Sequence, residues 1–129
     1  MNKTERQEQI LVVGYLKRLE TQGMIITYFS VPNGGTRNKL EAINLKREGV
    51  RAGVSDLVII FKDKVLFLEM KVAPKVLKSG KLSYSNSKVS DNQTLFLDKV
   101  SESYVCVSAI GYGWYGAKEI IDKQIKKDK

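Results

Sequence analysis

Two β-rich, largely apolar runs, residues 54–61 and 65–72, are separated only by Lys62-Asp63-Lys64. So short a connection favours one arrangement, an antiparallel hairpin. Both runs hold continuous apolar stretches instead of strict alternation, as strands covered on both faces do. Such a hairpin belongs inside a layered fold with helices packed against the sheet. The flanking sequence supplies them. Thr4 with Gln7 forms a capping box, and Leu11, Val12, Tyr15, Leu16 and Leu19 recur at helical spacing, so a first helix runs to about Glu20 and ends at Gly23. Residues 24–31 predict a strand and Pro32-Asn33-Gly34-Gly35 a turn. Residues 38–48 predict a second helix closed by Gly49. Ser90 caps a helix over 91–100, residues 104–110 predict a strand, and 117–127 a last helix with Ile120, Ile121 and Ile125 on one face. Residues 75–90, rich in Lys and Ser, read as a mobile surface loop. The order α-β-(α)-β-β-α-β-α gives one α/β domain over residues 1–129, a mixed sheet flanked by helices.

Charge and absences narrow the chemistry. Lys plus Arg is 22 and Asp plus Glu is 14, a net +8 that favours a polyanionic partner. There is no histidine and the sole cysteine is Cys106, so serine–histidine and cysteine–histidine hydrolysis and His/Cys zinc sites are excluded. Any metal must be hard and oxygen-ligated, which points to Mg²⁺ or Mn²⁺. The lack of a second cysteine fits a reducing cytoplasm. The polar start, Met1-Asn2-Lys3-Thr4-Glu5-Arg6-Gln7, does not resemble a signal peptide, and no apolar run approaches the ~18 residues of a membrane span. A soluble intracellular protein with no membrane partner is expected.

One constellation carries chemistry. Asp56 opens the first hairpin strand, and Glu69 and Lys71 lie on the second. Side chains alternate along a strand, so Glu69 and Lys71 share a face, and hairpin pairing brings Asp56 near Glu69. Two charges within an apolar strand are costly to bury unless paired. The bland account is a Glu69–Lys71 ion pair with a solvated Asp56. The chemical account is a pair of carboxylates holding a divalent cation, with a lysine that orients water or stabilises the transition state.

The pattern Asp56…Glu69-Met70-Lys71 resembles the core of the PD-(D/E)XK nucleases. The longer stretch Pro32-Asn33-Gly34-Gly35, residues 45–57, Phe67-Leu68-Glu69-Met70-Lys71 and Ser90-Asp91-Asn92-Gln93 is similar to the virus-type replication-repair nuclease (VRR-NUC) family. The resemblance implies a restriction-endonuclease-like fold. It implies that Asp56 and Glu69 bind metal, that Lys71 assists the attacking water, and that Gln93 completes the site from its helix. It also calls for a first-helix carboxylate, read as Glu5, with Glu8 one turn away as the alternative. Ser55 stands where the superfamily usually has proline. Gln93 has a second account as the capping-box partner of Ser90, and Asn33 as ordinary turn chemistry. Asn33, Arg37, Arg51, Lys75, Lys78 and Lys81 are the expected DNA contacts. The resemblance implies a DNA endonuclease, with branched DNA such as a four-way junction as substrate and a homodimer as the working form. The alternatives are a non-catalytic nucleic-acid-binding module and a nuclease working within a larger complex.

Gly111-Tyr112-Gly113-Trp114-Tyr115-Gly116 fits Gly-x-Gly-x-x-Gly. A dinucleotide fold needs a further strand and an acidic residue ~20 positions on, and the sequence through Lys129 offers neither. The stretch reads as a glycine-rich turn whose aromatic side chains pack. The tail 123–129 reads as a solvated, lysine-rich helix end.

Overall fold

The computed structural model describes residues 3–32 and 38–127. In chain order it contains α1 (Glu5–Thr21), β1 (Thr27–Ser30), α2 (Lys39–Arg47), β2 (Leu57–Ile60), β3 (Val65–Lys71), β4 (Lys75–Val76), β5 (Leu82–Ser83), α3 (Asp91–Val100), β6 (Cys106–Tyr112) and α4 (Gly113–Lys127). The hairpin β2–β3 is the centre of a four-stranded sheet of order β1-β2-β3-β6. β1 and β3 run antiparallel to β2, whereas β6 joins β3 in parallel through the crossover that contains α3.

The pleat decides which helix covers which face. Leu57 and Ile59 of β2 pair with Leu68 and Leu66 of β3, and all four are fully buried. They meet Val12, Leu16 and Leu19 of α1 and Ala117 and Ile121 of α4, which form one core with them. The two helices are tied further by Tyr15, whose ring meets Trp114 edge-on at 5.4 Å and whose hydroxyl donates to Asp122. The opposite face carries Phe67, which meets Phe96 of α3 at 5.9 Å. The hairpin is thus covered on both sides, as its apolar runs require.

Several boundaries differ from the expected ones. β1 is shorter because Met24 N–H donates to Leu19 O, closing α1, while Ile25 turns into the core. β6 starts two residues later than expected, with Tyr104 fully exposed ahead of it. α4 starts four residues earlier than residue 117 and takes in part of the glycine-rich stretch. Gly111 is required there: a Cβ on it would lie 2.9 Å from the Ala117 Cβ, so only glycine lets α4 fold back onto β6. Residues 75–90 hold the hairpin β4–β5, with Val76 opposite Leu82. Its base is pinned from a distance, by Ser87 Oγ donating to Val72 O at 2.7 Å and by Tyr84 against Tyr112 at 4.9 Å. Helix α2 is capped by Asn38 but has no buried residue.

Candidate active site

The three parts of the site come from three elements. On β3, Leu68 and Met70 enter the core, so Glu69 and Lys71 project to the other face. Asp56 precedes Leu57, and since Leu57 pairs with Leu68, the register sets Asp56 beside Glu69. Asp56 Oδ2 accepts the Met70 N–H at 2.8 Å, which holds the carboxylate against β3. Glu5 arrives from the first turn of α1, which Thr4 caps by accepting the Gln7 N–H at 3.1 Å. One carboxylate oxygen from each of Glu5, Asp56 and Glu69 lies within 4.8 Å of the others. Glu8 is turned aside. It is buried against the start of α4, where a Cβ on Gly113 would lie 2.6 Å from its Oε2.

Glu69 is the centre of the arrangement and is only 2% exposed. Its Oε2 accepts a hydrogen bond from Gln93 Nε2 at 2.8 Å and faces Lys71 Nζ at 3.7 Å. Its Oε1 is buried and has no hydrogen-bond partner among the described residues. Burial first, then the charge of Asp56, push the Glu69 carboxyl up to about 8, against the opposing pull of Lys71. Glu5 is also raised, by burial and then by Asp56, with Lys71 again opposing. Carboxyls whose ionisation is opposed by burial and by one another are those a cation would relieve.

Gln93 makes contacts with both the helix start and the cluster. Its Oε1 accepts the Ser90 N–H at 2.9 Å while its backbone N–H donates to Ser90 Oγ at 3.1 Å, a complete capping box. The other end of the same amide holds Glu69. The first turn of α3 is seated on Gly53, which has φ +83°, and a Cβ there would lie 2.4 Å from the Asn92 carbonyl. Gly53 therefore allows the approach that brings Gln93 to the cluster.

The structure brings none of the remaining expected contacts among the described residues into this cluster. Arg51 is exposed in the connection from α2 to β2, and Lys75, Lys78 and Lys81 are exposed on the β4–β5 hairpin. Asn33 and Arg37 lie outside the described residues. Sequence reasoning missed an open groove of about 860 Å³ that runs from Glu5 and Asp56 along α1, with Arg6, Gln9, Lys17 and Ser30 among its walls. Its signal was present: Arg6, Gln9, Val13 and Lys17 recur three or four residues apart, on a second face of α1 from Val12, Leu16 and Leu19.

The residues fit a hard divalent cation. All three donors are carboxylate oxygens, and Glu69 also has an oxygen, Oε1, that is buried without a partner among the described residues. The fold is restriction-endonuclease-like, a mixed central sheet with helices on both faces. Among solved structures, one described as a VRR_NUC domain protein superposes with a TM-score of 0.69 over 98% of this chain and 91% of its own, at 22% identity. No protein-family model and no curated protein matches the sequence.

Proposed function

We propose that this chain is a metal-dependent nuclease of the VRR-NUC type that hydrolyses DNA phosphodiester bonds. The observation that carries the proposal is the meeting of Glu5, Asp56 and Glu69, with Lys71 and Gln93 both on Glu69. The fold likeness supports the class, and the net charge of +8 supports a polyanionic substrate. Glu5, Asp56 and Glu69 would hold the ion, Mg²⁺ or Mn²⁺. When bound, it supplies charge stabilisation at the scissile phosphate and a more acidic water.

The chain's own residues perform the remaining tasks. Gln93 and the Met70 N–H fix the Glu69 and Asp56 carboxylates, two of the three donors. Lys71 places a positive charge beside the cluster, where it can orient the attacking water and offset charge developing on the phosphate. Arg6 and Lys17 line the groove that leads to Glu5 and Asp56 and would neutralise phosphates of the bound strand.

The substrate we assign is branched DNA, cut by a homodimer with one site for each of two equivalent strands. The stretch 110–115 supports dimerisation little, because Gly111 and Gly113 are buried and Tyr112 and Trp114 meet rings within the same chain. Helix α2 supports it better, since Leu40 is 69% and Ile43 48% exposed on a helix with no buried residue. A cleavage panel of linear, nicked, flapped and four-way DNA, with Mn²⁺ and with chelator, tests the reading. Metal-dependent cutting, fastest on branched DNA and by a species of twice 14.6 kDa, is expected. No cutting of any substrate would refute it.

A further inference from the structure

The hairpin β4–β5 carries a combination that its own packing does not use. Residues 75–90 contain four lysines (Lys75, Lys78, Lys81 and Lys88) and no acidic residue. Among them stand apolar side chains in open solvent: Val76 is 72% exposed, Leu82 53% and Leu77 47%. Val76 and Leu82 are cross-strand partners, so they form one apolar step. Leu77 N–H donates to Lys81 O at 2.8 Å, and Gly80, at φ +84°, closes the turn. The hairpin is therefore a shaped projection, and Ser87 and Tyr84 anchor its base to Val72 and Tyr112.

Its position joins it to the site. Only Val72, Ala73 and Pro74 separate Lys71 from Lys75. A small cleft lined by Lys3, Glu8, Pro74, Lys75 and Ser83 sets the hairpin base against the N-terminal end of α1, which also bears Glu5. The groove holding Arg6 lies against the same end of α1 and opens at Glu5 and Asp56.

We infer that the β4–β5 hairpin is a wedge for DNA with unpaired or unstacked bases, its lysines on phosphates and Val76, Leu77 and Leu82 against the exposed base faces. Apolar side chains inserted at base steps and stacking on open bases are established ways of holding distorted DNA. Three cations on the hairpin that carries the apolar step, Lys75, Lys78 and Lys81, suit a polyanion and argue against an uncharged partner. The inference rests on the nuclease reading and names the feature by which the site would choose branched over linear DNA.

The test is binding in metal-free buffer, which separates it from cleavage. The probes are a forked oligonucleotide with 2-aminopurine at the branch and a matched linear duplex. For the wild type, affinity for the fork should exceed that for the duplex at least tenfold, with a rise in fluorescence as the base unstacks. In Val76→Ser/Leu82→Ser, that ratio should fall about tenfold and the fluorescence rise should vanish. Tyr104→Ser, at a fully exposed position outside the site, should change neither. Lys78→Ala/Lys81→Ala should weaken both probes and keep their ratio. A wild type without preference for the fork, or a double serine variant that keeps it, would overturn the wedge while leaving the nuclease reading to its own cleavage assay.

Discussion

Gln93 Nε2 donates to Glu69 Oε2 at 2.8 Å, while Gln93 Oε1 accepts the Ser90 N–H that caps α3. One amide thus couples the start of a helix to the most buried carboxylate of the cluster. Gln93→Ala should lose both bonds, and Gln93→Glu should keep the cap, because glutamate is an equally good capping-box partner. Both variants should lose roughly 10- to 100-fold in metal-dependent cleavage, as outer partners of a ligand do. Gln93→Ala should lose about 1 kcal/mol of stability with the cap, whereas Gln93→Glu, by setting a second carboxylate against the buried Glu69, should push the Glu69 carboxyl further up. Full activity in Gln93→Glu would reduce Gln93 to a helix cap.

Asp56 is bonded to the backbone as well as placed toward the cluster, and its substitutions should differ accordingly. Asp56→Ala leaves the Met70 N–H without its acceptor and should cost about 1–3 kcal/mol. Asp56→Asn retains an acceptor oxygen and should fold nearly as well, yet lose cleavage. Denaturant midpoints and single-turnover rates read the two effects separately. Equal stability of the two variants would show that the Met70 bond contributes nothing.

Glu69 should give the metal-free protein a distinctive pH response. Its carboxyl is raised from 4.5 to about 8, chiefly by burial and next by Asp56. Folding then favours the protonated form. That contribution is complete below the unfolded value and is lost as pH rises through the folded one. Between pH 4.5 and about 8 the wild type should progressively lose thermal stability relative to Glu69→Gln. Saturating Mn²⁺ should restore it in the wild type alone. Parallel melting curves across that pH range would contradict a raised Glu69.

Much of this was legible in the sequence because it rests on local pattern. The β2–β3 hairpin, the capping boxes at Thr4 and Ser90, and the same-face placement of Glu69 and Lys71 follow from spacing. What was not legible depends on distant contacts. The hairpin at residues 75–90 is fixed by Ser87 on Val72 and Tyr84 on Tyr112, and its alternation is too short to show. Glu5 and Glu8 lie one turn apart, and only the packing of α4 against Glu8 separates them. The early start of α4 was hidden because glycine disfavours helix, whereas Gly111 is what lets that helix approach the sheet.

Gly53 should tolerate no side chain. An alanine there would combine a strained backbone at φ +83° with a 2.4 Å clash on Asn92, so the first turn of α3 must shift. Gly53→Ala should destabilise the protein by about 1–3 kcal/mol and lower cleavage together, because Gln93 moves with the turn. An alanine variant with undiminished activity would show that the seating of α3 does not position the site.

The most direct measurement is single-turnover cleavage of end-labelled DNA by the wild type and Asp56→Asn, each with Mn²⁺ and with chelator, alongside calorimetric titration of Mn²⁺. The wild type should bind the ion and cut only in its presence. Asp56→Asn should stay folded, lose most of the binding and cut at least 100-fold more slowly. Cleavage that survives chelation, or a folded Asp56→Asn that cuts like the wild type, would contradict the assignment of catalysis to Glu5, Asp56 and Glu69.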